Sequence, residues 1–380
     1  MGQPGRTAET NALIGKPIGQ YLGGRDNNLN LIRIVAASAV LVSHAYALTS
    51  GQEMSEPFRA ATGLSLGQFA VAIFFGMSGL LIARSFDRRQ SLAHFVSARF
   101  LRLWPALAVV LTLTAFALGP VMTSQGASEY LRSTQTLAYV PRNLSLYFRD
   151  DALPGVFAAN PYGAATNGSL WSLFYEVACY GGVVALGYLG GLRKTWMFGL
   201  FLAFVVAGHV WSVIASPASG VAYRLDVMGF VGFPFALGMA AYVWRDRLSL
   251  GLAGIALVWV LVALLLDTVW LGSAIMLALV YTCLWLAFVP KGAVLAYNRL
   301  GDFSYGVYIF AYPAQQTLVA LWPGHGPAVN MAASGAITLI LAIASWHLVE
   351  KRALALARPA GDRLAGMFKG KDESATPLAG

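Results

Sequence analysis

"NNLNLIRIVAASAVLVSHAY", residues 27–46, is apolar enough to enter a bilayer, yet it carries Arg33 near one end and His44 near the other. A charge at bilayer depth costs about 2.5–3.5 kcal/mol even on a lenient insertion scale. At 100° per residue the eleven-residue separation returns to within about 20° of the same direction, so both side chains project from one helix face. Along the axis they are about 16 Å apart, roughly half the hydrocarbon thickness. One stripe of one helix thus carries a guanidinium and an imidazole to two depths. The bland accounts are an Arg33 that snorkels to lipid phosphates and a His44 hydrogen-bonded inside a bundle.

The rest of the chain supports the membrane reading. It is 57% hydrophobic and 11% charged, with a mean hydropathy of +0.62, whereas soluble domains carry about 25% charged residues. Runs long enough to cross a bilayer fall near 29–49, 64–84, 101–120, 169–190, 195–215, 227–243, 248–266, 269–289, 303–321 and 328–349. The expected fold is all-α and polytopic, with about ten transmembrane helices. Residues 1–28 form an N-terminal segment without a signal-peptide pattern, so the first span is expected to stay. The transmembrane domain runs over 29–352, and 353–380 reads as a basic, flexible tail. Residues 121–168 read as a loop. No internal repeat is visible, which disfavours an inverted-repeat transporter.

Positive charge orients the chain. An N-terminus in the cytoplasm places Arg6, Lys16 and Arg25, the tail, and basic loops such as Arg84–Arg89 and Arg245–Arg247 on one side. Only Arg59, Arg132, Arg142, Arg149 and Arg224 then fall outside, with Arg33 inside a span. Both termini are expected to be cytoplasmic. The formal net charge of +9 is accordingly a topology signal and does not call for nucleic acid. Cys179 and Cys283 lie in apolar runs, and no metal-ligand spacing, phosphate loop or serine-nucleophile elbow is present.

Two further segments place polar groups in spans. In "FVSARFLRLWPAL" (95–107), Arg99 and Arg102 share a face at the cytoplasmic mouth of the third span. They suit bidentate binding of a phosphorylated ligand or, more plainly, positive-inside charge. In "NGSLWSLFYEVACY" (167–180), Glu176 sits about two turns into the fourth span. Counted from the outer ends of their spans, Glu176 and His44 have comparable depths. A carboxylate at that level would fix the imidazole tautomer and form a general-base pair; the alternative is a protonated acid bonded to a neighbouring helix. Ser172 and Tyr180 flank Glu176 by one turn each. His209 and His347 read as satisfied structural histidines, and His325, in "LWPGHGP", as solvated.

Together these segments resemble the acyltransferase 3 family, integral membrane enzymes that O-acylate envelope and secreted carbohydrates. The resemblance runs from residue 27 through "GQFAVAIFFGMSGLLIARS" (67–85), the two segments above and "LGDFSYGVYIFAYP" (300–313) to "SWHLVEKR" (345–352). It rests on Arg33 and His44 with ten residues between them, the Arg99/Arg102 pair, and the Trp171-containing "SLWSL" ahead of Glu176, in that order. The resemblance implies ten helices, an acyl-CoA donor (acetyl-CoA as the default) on the cytoplasmic side and a glycan or lipid-linked oligosaccharide acceptor outside. It also implies a catalytic His44, with Glu176 at the family's acidic position, and donor binding by Arg33, Arg99 and Arg102. Ser78 with Gly79 matches the second-span motif, and Tyr305 with Tyr308 the ninth-span motif. Many relatives carry a histidine where this chain has Ala311, so that group has no role here. The fused extracytoplasmic hydrolase-like domain of some relatives finds no residues in this sequence.

The expected enzyme sits in the inner membrane and acylates envelope or exopolysaccharide sugars, surrounded by lipid, with a homo-oligomer allowed. His44 acts as base or forms an acyl-histidine; the residues leave both open. A proton-coupled transporter or exporter of a lipid-linked sugar, with Arg33, His44 and Glu176 as a relay, is the competing class.

Overall fold

The computed structural model describes residues 13–24, 26–215 and 219–373, the side chains of 368–373 excepted. Arg6 and Arg25 lie outside the described residues, as do the side chains of Lys369 and Lys371. The chain is a helical bundle with a principal helix at each expected span: α1 (Leu29–Ser50), α2 (Leu66–Arg89), α3 (Leu92–Leu113), α4 (Trp171–Tyr188), α5 (Thr195–Ala215), α6 (Gly220–Val243), α7 (Leu252–Leu264), α8 (Leu271–Phe288), α9 (Ser304–Leu321) and α10 (Pro327–Ser345). A two-residue antiparallel pairing joins Lys16–Pro17 to Ser249–Leu250.

Among the described residues, eight helical stretches are long and apolar enough to cross a membrane, which makes this a polytopic membrane protein. The other two differ from that pattern in opposite ways. The α7 helix is apolar but only 13 residues long. The α9 helix has the length but carries Gln315, Gln316 and three tyrosines, and every residue from Ser304 to Gln316 is buried. It is the interior helix, packed on α1 and α10. At the periphery, α5 and α7 expose Phe204, Leu200, Leu257 and Leu264, as a lipid-facing surface requires.

Small residues decide how closely α2 and α6 approach. A Cβ at Gly79 would lie 2.0 Å from the Phe235 carbonyl oxygen, and one at Gly238 would lie 1.9 Å from that of Gly76. Such backbone contact is the membrane substitute for a hydrophobic driving force. Proline shapes α9 differently: Pro313 has no N–H, so the carbonyl of Ile309 loses its helical donor. Asn167 Nδ2 donates to that oxygen at 2.8 Å and ties the start of α4 to α9.

Contacts between distant segments gather particular helix ends. Asn28, before α1, donates to Leu286 and Pro290 O at the end of α8. His94, near the start of α3, meets Asp362 in α11 (Ala357–Glu373). At the opposite end Asn160 donates to Gln316, and Tyr162 to Glu53. The stretch after 352, read from sequence as a flexible tail, is helical through Glu373 and packs on α3. The 121–168 connection likewise holds helices at Ala127–Arg132 and Thr134–Leu144.

Candidate active site

The described residues enclose, among others, two sizeable cavities within the bundle. The inner one, of about 420 Å³, is lined by Arg33 of α1, Ser78 of α2, Arg99 and Arg102 of α3, Ser172, Glu176 and Tyr180 of α4, and Asp302, Tyr305 and Tyr308 at the start of α9. The outer one, of about 730 Å³, is lined by His44 of α1, Ser169 and Trp171, Tyr308 and Tyr312 of α9, and a polar rim that includes Glu53, Arg59, Tyr162 and Asp226. Both sizes fall in the range of small-molecule sites, roughly 300–1,000 Å³. The α1 stripe serves both: Arg33 faces the inner chamber and His44 the outer.

Charge in the inner chamber is arranged around Asp302. Its Oδ2 accepts from Arg33 Nη1 at 2.8 Å and from Arg102 Nη2 at 2.5 Å. Its Oδ1 accepts the Ser304 hydroxyl at 2.5 Å. Burial alone would raise this carboxyl, but the two guanidinium groups and Ser304 outweigh it and hold Asp302 well below the usual carboxylate range. Arg102 also lies 3.6 Å from Glu350, whose Oε1 accepts from Ser345. Arg99 is held differently. Its guanidinium lies 5.9 Å from the Phe95 ring centre and 6.0 Å from that of Tyr180, while its buried Nε has no hydrogen-bond partner. It is therefore the arginine best placed to take a new anion.

Glu176 belongs to this chamber, where it accepts a hydrogen bond from the Tyr180 hydroxyl. The pairing with His44 expected from matched depths is absent. A short 3₁₀ turn, Gly168–Leu170, precedes α4. It is Ser169 and Trp171 that reach the outer chamber, while Ser172 and Glu176, one turn apart, face inward.

Among the described residues His44 makes no ion pair. Its ring packs edge-on against Tyr312 at 5.1 Å, and its buried Nδ1 has no hydrogen-bond partner. The helix carrying it is anchored one turn earlier, where Gln315 Nε2 donates to Leu41 O at 2.8 Å. Gln315 Nε2 also donates to Asn330 Oδ1, and Asn330 Nδ2 donates to His325 Nε2. His325, expected in solvent, is thus buried within a polar network. Gly324, at φ +82°, turns the "PGHGP" loop back over α10. His209 is satisfied as expected, bonded to Gly229 O and Ser273 Oγ and stacked on Phe233 at 4.2 Å. His347 is exposed, 6.3 Å from the Phe303 ring.

Of the residues singled out by sequence, the inner chamber gathers Arg33, Arg99, Arg102, Glu176, Ser172, Tyr180, Ser78 and Tyr305; the outer one holds His44 and Trp171. Asp302 and Glu350 were missed. Their only local signal is a carboxylate beside an apolar span, and Asp302 finds its partner Arg33 across 269 residues of sequence.

Comparison with known proteins matches residues 26–347 to an acyltransferase domain family, acyltransferase 3. An "O-acetyl transferase" of Shigella phage Sf6 is 30% identical over 346 residues, covering 88% of this chain and 98% of its own. "Nodulation protein 10" of Rhizobium leguminosarum bv. viciae is 28% identical over 365 residues, covering 90% and 96%. No solved structure matches the chain. The transporter reading gives way to these matches, which make the protein an enzyme. The family match spans α1 through α10, and with them the stripe that links Arg33 to His44: the chain belongs to the acyltransferase 3 family of acyltransferases.

Proposed function

We propose that the protein is a membrane O-acetyltransferase that takes an acetyl group from cytoplasmic acetyl-CoA and delivers it to a sugar hydroxyl outside. The acceptor is an envelope or exopolysaccharide glycan or its lipid-linked precursor. In this reading all ten helices cross the inner membrane and both termini are cytoplasmic. The gathering of Asn28, the end of α8, His94 and Asp362 at shared helix ends favours it. The O-acetyl transferase of the Shigella phage favours acetyl as the group moved.

One observation carries the proposal: a single helix presents an arginine to a cation-lined chamber and a histidine to a second, larger chamber. CoA phosphates enter at Arg99, with Arg33 and Arg102 held ready by Asp302. Glu176 and Tyr180 position the Arg99 guanidinium. The acceptor sugar occupies the outer chamber, where Trp171 and Tyr312 offer ring faces and the carboxylate-bearing rim offers hydrogen-bond acceptors. His44 removes the hydroxyl proton as the oxygen attacks the thioester carbon. The new C–O bond forms, the C–S bond breaks, and the imidazolium returns its proton to the thiolate. General-base help of this kind is worth about 10²–10⁴-fold.

The test is purified protein in detergent with radiolabelled acetyl-CoA and a preparation of envelope glycan. Label should pass to the glycan with stoichiometric release of CoA thiol. Intact acetyl-CoA together with no measurable CoA binding would remove the proposal.

A further inference from the structure

Two residues line both chambers: Val71 of α2 and Tyr308 of α9. The Tyr308 hydroxyl is fastened from each side. It lies 2.7 Å from Ser172 Oγ, which lines the inner chamber, and donates to Ser169 O, in the outer chamber's wall, at 2.7 Å. Each hydroxyl is satisfied when Ser172 donates to Tyr308 and Tyr308 donates onward to the carbonyl. The ring is fixed as well, edge-on to Phe74 at 5.9 Å. The backbone behind it is tied to α4 by Asn167, through the carbonyl that Pro313 leaves free. The partition is thus a side chain held by two hydrogen bonds, beside an apolar wall at Val71 with no polar group of its own.

We infer that Tyr308 is the door between the donor and acceptor chambers, and that the gap it shares with Val71 limits the size of acyl group that passes. The inference rests on the donor and acceptor assignments above. An acetyl group is small enough to pass a ring that swings from its serine clamp. A longer acyl chain must displace Phe74 or Val71 as well. While closed, the door keeps water in the outer chamber from the thioester. Water attacking in place of the sugar would form a C–O bond to the acyl carbon, break the C–S bond and leave free acid and CoA thiol.

The experiment compares acetyl-, butyryl- and hexanoyl-CoA with full-length protein in detergent. It measures thiol release without acceptor and, separately, acyl-CoA binding. Tyr308→Ala is expected to raise the hexanoyl-to-acetyl ratio of thiol release at least tenfold. Tyr308→Phe, which keeps the ring and loses the clamp, should raise hydrolysis of acetyl-CoA severalfold with little change in that ratio. Val71→Ala should shift the ratio toward hexanoyl and Val71→Leu toward acetyl, so the test stands even where the Tyr308→Ala protein does not fold. An unchanged ratio in the Val71 variants, with acyl-CoA binding retained, overturns the door and leaves the donor assignment intact. A wild-type protein that binds no acyl-CoA overturns both.

Discussion

The inner chamber pairs the charges around Asp302 within the protein, whereas the outer chamber leaves its central group unsupported. Around Asp302, two guanidinium groups and a serine hydroxyl share one carboxylate, and Glu350, in the turn after α10, closes the cluster. Around His44 there is a tyrosine ring edge and an Nδ1 without a partner. Buried ions need such compensation because desolvation costs several kcal/mol per ion. An imidazole that carries no charge at rest needs none, and the base proposed for this position gains from being unengaged beforehand. On the proposed reading the inner chamber is therefore a stability element as well as the donor site, and the outer one is a place where substitutions have little effect on folding.

His44→Gln breaks the comparison most sharply. It should lower transfer by about 10²–10⁴-fold while CoA affinity and thermal midpoint stay near wild type, read on one detergent preparation. An active Gln enzyme would end the claim that His44 is the base.

Next in size is Asp302→Asn, which leaves Arg33 and Arg102 without their carboxylate. Removing one partner of a buried pair costs about 3–5 kcal/mol, though the partial exposure of Arg33 places this at the lower end. Because the folded carboxyl is held below its usual range, its contribution is complete above the unfolded value of about 3.9. It fades only as pH falls through the lower folded value. The stability gap between wild type and Asp302→Asn should thus be constant from pH 7 to 5. A gap that closes by pH 5 would show that Asp302 is not held as the structure has it.

Arg99 sharpens the contrast inside the inner chamber itself. Having rings for partners in place of a carboxylate, Arg99→Ala should weaken CoA binding by about tenfold, the equivalent of one charge-assisted hydrogen bond, at little cost in stability. Arg99→Lys should recover part of that, since an ammonium lacks the fork. Arg102→Ala should instead lower stability and binding together. Equal behaviour of the two Ala variants in both assays would erase the distinction. The smallest effect is expected at Glu176→Gln, which keeps the acceptor for Tyr180: a few-fold loss of CoA affinity, with turnover at saturating donor unchanged. A large fall in that turnover would return Glu176 to the side of His44.

These contrasts show what the sequence carried. Helical period alone put Arg33 and His44 on one face, and apolar run length located a helix at each expected span. The three arginines were legible because a cation in an apolar run is conspicuous. The level of Glu176 relative to His44 was not, because depth counted along two helices ignores how each begins, and the Gly168–Leu170 turn reorders which α4 residues face outward. Asp302 was hidden for another reason: a carboxylate at a helix start reads as ordinary capping until its partners, on two other helices, are known. A glycine- and proline-rich loop gave no hint that His325 would fold back onto Asn330.

The amides buried in α9 bear on how the protein is made. Gln315 depends on Leu41 and on Asn330 of the following helix, and Gln316 on Asn160 and the Gly163 and Ala165 carbonyls. Presented alone to an insertion machinery, this segment would carry unpaired amides and a proline-broken ladder into hydrocarbon, a partition that single helices of this kind resist. On the proposed ten-span reading it would enter as a hairpin with α10, against helices already in place. Glycosylation mapping of the isolated α9 segment should find it uninserted, and the α9–α10 pair inserted more fully. On that reading the interior helix is a late arrival, recruited to the membrane by the protein rather than by the lipid.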